Sequence, residues 1–198
     1  MSTVKTTNIT HGSNSGTANM VLASDGKVSV AQNKLSCPGT IIQVVQCIKT
    51  DTWSESSVAE GGFSAVVSGL TQAFTCSSTS NKVLITGQIY PHNNLAQGWG
   101  VGVTLTAAGS AIAAATGDAR GSRSRLHAMS DTYYFGTSVP INYLHSPSST
   151  SAITYGIKLW NGHTSAQTLA LNYPSSQDGD TNNGITTAST LTFMEIAG

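Results

Sequence analysis

Charge is what this sequence has least of. Only 9% of its residues are Asp, Glu, Lys or Arg, against about 25% in an ordinary soluble domain. Nine basic side chains face nine acidic ones. Without a basic excess the chain lacks the electrostatic footprint of nucleic-acid binding, and no nucleic-acid partner is expected. It is also poor in the Ala, Glu, Lys, Leu and Arg mixture that makes coiled coils and long helical bundles. No apolar run approaches the roughly 20 residues of a spanning helix, so membrane insertion is not expected. The start, MSTVKTTNITHGSNSG, has no apolar stretch of the kind a signal peptide needs. Cysteine is scarce too. Cys37, Cys47 and Cys76 are odd in number with no close pair, which argues against a disulfide framework. Buried or half-buried free thiols are expected, in keeping with folding in a reducing cytoplasm.

What fills the chain instead is 27 Ser, 26 Thr, 20 Gly and 12 Asn. Disorder is still disfavoured, because 39% of the residues are hydrophobic and the net charge is zero. The 198 residues suit one ordinary domain, or one domain with a small appendage. The class these features leave is all-β, with a surface of hydroxyls and amides.

The order of segments supports this. Residues 1–35 form a polar arm with two short apolar stretches, at 20–22 and 28–30, around the turn signal Ser24-Asp25-Gly26-Lys27. A small hairpin on an extended arm is expected there. Such a piece must lie against another body, because alone it buries too little. From Pro38-Gly39 onward strand signals are dense. Strands are expected near residues 40–50, 63–67, 72–76, 82–90, 99–105, 110–115, 133–135, 141–144, 152–160, 168–171 and 187–196. Asn161-Gly162 reads as a hairpin turn. The Ala-rich run 107–117 reads as a hairpin, with a short helix as the alternative. Gly100 and Gly102 alternate with valines, which points to a large side chain such as Trp99 over them, a tight subunit contact, or a simple bulge. About ten short strands with Gly, Pro, Asn and Ser between them predict a jelly-roll sandwich over residues 36–198.

Catalytic signatures are missing. Gly62-Phe63-Ser64-Ala65-Val66 lacks the last glycine of a nucleophile elbow. Phosphate-cradling glycine loops are absent as well. The five histidines, His11, His92, His127, His145 and His163, have no ligand spacing among themselves or with cysteine. Asp178, Asp180 and Asn182 have the D-x-D-x-N spacing of a calcium loop. The glycine comes one position late and the twelfth position is Ser189, so a solvated turn is the preferred reading and no metal or cofactor is expected. With so few acids, a paired-carboxylate glycosidase is disfavoured.

Two groups of residues remain as candidate sites. Arg120, Arg123 and Arg125 lie within six residues. They read as a subunit-interface or intramolecular network to carboxylates such as Asp118 or Glu195, as an anion-binding site, or as a solvated loop. Trp53, Trp99, Trp160 and Tyr133 fall near expected strand ends or turns, as do Tyr90, Tyr134 and Tyr173. Exposed rings there would stack on sugars; buried ones would plug a core or an interface.

Several runs carry a family resemblance. The closing ASTLTFMEIAG (188–198), GDARGSRSR (117–125), IIQVVQCIKTDTWS (41–54) and STSNKVLITGQI (78–89) resemble segments of virion proteins from marine tailed phages, including cyanophages. The arm, NITHGSNSGTANMVLASDGKV (8–28), looks like the N-terminal element of such fibres. Together the runs cover most of the chain. The resemblance implies a trimeric jelly-roll head similar to the globular heads of complement and tumour-necrosis-factor proteins. It implies a virion location, on tail or head surface, after synthesis in the host cytoplasm. Residues 1–35 would then attach to other virion proteins and residues 36–198 would form the head.

The expected role is non-enzymatic: a tail fibre or receptor-binding tip that adheres to the host surface, with a surface glycan as a candidate ligand. A head fibre or capsid decoration is the close alternative, since no long shaft separates arm and head. A polysaccharide depolymerase is the more distant one. The strand SAITYGIKLW (151–160) is apolar on both faces, so both should be covered; packing around a threefold axis would cover one of them. A surface with few ions leaves little for salt to screen, which suits seawater.

Overall fold

The computed structural model describes residues 6–9, 20–30, 37–93, 99–131, 137–173 and 185–198. The arm holds β1 (Asn8–Ile9), β2 (Met20–Leu22) and β3 (Val28–Val30), paired antiparallel in that order. β2 and β3 form the expected hairpin. Its turn uses Gly26 at φ +81°, and the Lys27 N–H donates to Asp25 Oδ1.

The head holds β4 (Ile41–Lys49), β5 (Trp53–Val58), β6 (Gln72–Phe74), β7 (Lys82–Ile89), β8 (Pro91–Asn93), β9 (Val101–Ala107), β10 (Ser110–Ala111), β11 (Ala128–Ser130), β12 (Val139–His145), β13 (Ile153–Asn161), β14 (Gln167–Leu171) and β15 (Ser189–Ile196). One sheet runs β12-β7-β15-β4. A second runs β10-β9-β13-β6, with β11 also on β9. A small third sheet, β5-β14-β8, joins the end where Asn172 on the chain after β14 meets Lys49 and Tyr90. The last strand of the chain, β15, lies between the first two strands of its sheet, β4 and β7, and all the described pairs are antiparallel. This is jelly-roll connectivity, and the all-β expectation holds.

Alternation builds the core. Val83, Ile85 and Ile89 of β7 and Leu191 and Phe193 of β15 point inward, while Leu84, Thr86, Thr192 and Met194 point out. Facing them are Leu105, Tyr155, Ile157 and Leu159 from the second sheet. The Phe193 ring lies 5.6 Å from Tyr155 and 6.2 Å from Phe74. The arm enters at Ile41, beside Ile196 and the C-terminal Gly198, whose N–H reaches Asn81. The opposite end carries Lys49, Ile89, Ser189, Val101 and Asn161.

Several local expectations are revised. Asn161-Gly162 does not close a hairpin, because β13 and β14 belong to different sheets. Asn161 is buried and ties loops instead. Its Nδ2 donates to the carbonyls of Val58, Ala59 and Ser165, and its Oδ1 accepts the His163 N–H. Residues 63–67 are not a strand. They run beside β13, with a bridge from Phe63 to Trp160 and bonds from the Ser64 and Val67 N–H groups. The side chains of Val66 and Thr71 close over β13 at Gly156, where an added Cβ would meet both. Along the same face Thr154 is exposed, and Lys158 and Trp160 are half-buried. β5, β8 and β11 were not expected, being rich in Ser, Glu, Pro and other residues that leave a weak apolar signal. The Ala-rich run makes both expected shapes in turn, β10 and then a 3-10 turn over Ala113–Ala115. Cys76 is buried and Cys47 half-buried, but Cys37 is exposed. Burial pushes the Cys47 and Cys76 thiols up in pKa, keeping them protonated.

Candidate functional site

Two surfaces stand out. The first is the outer face of the sheet β12-β7-β15-β4. Pairing registers align Val44, Met194, Leu84 and Leu144 in one row straight across all four strands. Val44 is 56% and Leu144 46% exposed. A neighbouring row sets Ile41 beside Ile196, and Ile48 is exposed along the same strand. On the side of the Val44 row away from Ile41 runs a polar row of Gln46, Thr192, Thr86 and Asn142. Gln46 Nε2 donates to Thr192 Oγ1 at 2.9 Å. Lys82 is the one charged residue that the β7 alternation puts on this face.

The second surface is built at the end away from the arm. Trp160 is the last residue but one of β13, with its Nε1 donating to the Gly61 carbonyl at 2.8 Å. Its ring reaches over Gly162, where an added Cβ would come 2.8 Å from it. Gly102 lies under Leu126, and Gly100 under Met129. The expected large covering side chains are present, but they are Leu126 and Met129, with Trp99 serving elsewhere. Trp99 packs edge-on against His163 with ring centres 4.7 Å apart. Phe63 pairs with Trp160 and is 42% exposed; Trp99 is 38% exposed. His163 Nδ1 accepts the Ser165 N–H at 3.0 Å and lies 3.1 Å from Gln167 Nε2.

The other candidates separate. Trp53 opens β5 and packs half-buried against the core, away from Trp99 and Trp160. Tyr133, Asp178, Asp180 and Asn182 lie outside the described residues, as do His11 and Tyr134. Arg125 donates from Nε to the Gly117 carbonyl at 2.6 Å and from Nη2 to Ala113. It braces its own loop through carbonyls, with no carboxylate involved. Arg120 and Arg123 are exposed, and among the described residues no ion pair reaches them. Glu195, named as a possible arginine partner, is buried and held by neutral donors: Ser77 N and Oγ, Asn81 Nδ2 and Gln43 Nε2. Burial pushes its pKa up, yet these donors outweigh that and hold it below the usual carboxylate range.

Sequence reasoning missed the buried polar groups. His92 is buried, and desolvation pulls its pKa down to about 4. His145 Nδ1 sits 2.8 Å from the Tyr155 hydroxyl; burial lowers the histidine and raises the phenol. This pair adjoins an open cleft of about 550 Å³ between β12 and the Ala-rich run, lined by Ala111, Ala113, Tyr143 and His145. Among the described residues no group of three or more His, Cys, Asp or Glu could hold a metal ion. Among them, too, no helix is long and apolar enough to cross a membrane.

No family model matches the chain, and no curated protein matches it. Solved structures with a distant likeness include three viral ones. The structure of the infectious bursal disease virus Gx strain aligns at 14% identity and a TM-score of 0.39, over 88% of this chain and 44% of that one. The T=1 particles derived from infectious bursal virus align at 12% identity and 0.39, over 86% and 39%. The VP2 subviral particle of infectious bursal disease virus aligns at 12% and 0.37, over 86% and 43%. The chain thus spans less than half the length of each of these chains.

Proposed function

We propose that this chain is a non-enzymatic structural protein of a virus particle, a homotrimer that works as a tail fibre or receptor-binding tip of a tailed phage. Its arm docks on other virion proteins, and its jelly-roll head adheres to the host surface through many weak contacts multiplied by valency. The observation that carries this reading is the row Val44–Met194–Leu84–Leu144 on the outer face of the β12-β7-β15-β4 sheet. An apolar stripe across a whole sheet face, in a protein with so few ions, suits a symmetric contact between copies. The sequence runs that resemble marine-phage virion proteins supply the setting. Exposed aromatics at the end opposite the arm support adhesion there.

Light scattering on the purified chain and on Val44→Lys tests the assembly. The wild type should be a trimer and the variant a monomer that still folds. A monomeric wild type at micromolar concentration would sink the reading. Immunogold labelling of particles then separates tail from head.

A further inference from the structure

We infer that the surface formed by Trp99, Trp160 and Phe63 is a stacking site for a neutral saccharide. The inference rests on the adhesive reading above and names its ligand class.

The rings are held before any ligand arrives. Trp160 is fixed through its bond to Gly61 and its seat on Gly162. Trp99 is held edge-on by His163. Rings already fixed lose little rotamer freedom on binding, which is the usual cost of using large side chains. Phe63 lies beside Trp160 and extends the apolar area. Flanking glycines let these rings lie against backbone: a Cβ on Gly162 would come 2.5 Å from the Gly100 carbonyl.

Hydrogen-bonding groups border the rings. His163 Nδ1 accepts a backbone N–H, which leaves the Nε2–H of the ring as a donor. Thr164 and Ser165 are exposed and carry hydroxyls. Residues 61–63, 99–107 and 159–171 contain no Asp, Glu, Lys or Arg; the nearest charges in sequence are Glu60 and Lys158.

That combination selects a ligand. A pyranose presents a C–H face to an aromatic ring and hydroxyls to amides, imidazoles and other hydroxyls at its rim. A sulfated or uronic-acid sugar would call for several cations, whereas β13 sets a single one, Lys158, on the face of Trp160. The place in the fold agrees, because the patch lies at the end of the sandwich away from the entry of the arm, where an anchored head faces outward.

The test titrates the full-length protein, in its native oligomeric state, with cellohexaose, maltohexaose and chitohexaose. Tryptophan fluorescence reports binding, and a heparin hexasaccharide is the anionic comparison. At least one neutral hexasaccharide should bind and shift the fluorescence. Trp99→Ala and Phe63→Ala should each weaken it by roughly tenfold, with mass and unfolding temperature unchanged. No binding by any neutral probe overturns the inference, as does binding by heparin alone or undiminished binding by both variants. A change of oligomeric mass in the variants would make the patch an interface between copies and overturn it too. A monomer that still binds through these rings would instead remove the trimer reading and leave the saccharide site standing.

Discussion

Asn81 Nδ2 donates to Glu195 Oε1 at 2.6 Å in the interior, and among the described residues no cation faces that carboxylate. Neutral donors do the work that one reading of the sequence gave to an arginine fork. Ser77 gives both its N–H and its hydroxyl to the same oxygen, and Gln43 covers the other. These residues come from β4, β15 and the turn before β7, so one carboxylate ties three parts of the sheet end together. Glu195→Gln would set an amide N–H against these donors. It should lower stability by about 2–3 kcal/mol, the usual cost of an unsatisfied buried polar group. Urea unfolding of the variant measures this, and an unchanged midpoint would show that the network contributes nothing net.

Acid should destabilise the protein in two stages. His92 has a folded pKa of about 4 against 6.5 when unfolded. Between those values the unfolded chain binds the proton and the folded one does not, so stability falls as pH drops from about 6.5 towards 4. The loss is at most about 3 kcal/mol, and His145, lowered by burial, adds in the same direction. Glu195 acts below that range. Its lowered folded pKa gives stability that is present above the unfolded carboxylate pKa and is lost as pH falls through the folded value. His92→Gln should flatten the upper stage of a urea-midpoint-against-pH profile and leave the lower one.

Gly87 is a place where the sequence offered no warning. It sits inside β7 between Leu191 and Ile141, and a Cβ there would run into the Thr190 carbonyl. Gly87→Ala should therefore cost about 3 kcal/mol or more, or abolish soluble expression, although its chemistry changes by one methyl. Gly69→Ala is the contrast, because a φ of +82° strains any side chain but the tight neighbour is the flexible Lys49 tail. A smaller loss, about 1 kcal/mol, is expected. Thermal unfolding of the pair ranks them.

Legibility followed the range of the interactions. β4, β7, β13 and β15 were visible because alternation is local and strong in them. Gly100 and Gly102 announced a covering side chain, while its identity, Leu126 or Met129, depended on a return of the chain through β11. Asn161-Gly162 misled because the same two residues that favour a tight turn also suit a loop brace. Which one forms depends on whether the next strand pairs with β13, and β14 pairs with β5 and β8. The apolar row on the sheet face was legible only as scattered exposed valines and leucines until the registers aligned them. Asn161→Ala tests the brace reading. Losing three carbonyl partners should lower stability by about 2 kcal/mol and speed hydrogen exchange around residues 58–62.

The three clustered arginines should behave differently from one another. Arg125 spends its donors on Gly117 and Ala113 within its own loop. Arg125→Ala should speed hydrogen exchange over residues 113–117 and cost under about 1 kcal/mol, because both bonds are at the surface. Lysine should not restore protection, since one ammonium cannot span two carbonyls as a planar fork does. Arg120 and Arg123 are exposed and meet no carboxylate among the described residues, which leaves their forks open to a neighbouring copy. Arg123→Ala should weaken assembly, read as subunit dissociation in native mass spectrometry at rising salt, while the isolated fold keeps its unfolding temperature. If assembly holds and adsorption to host cells is lost instead, the arginine belongs to a ligand contact, and an anionic group on the host becomes its partner.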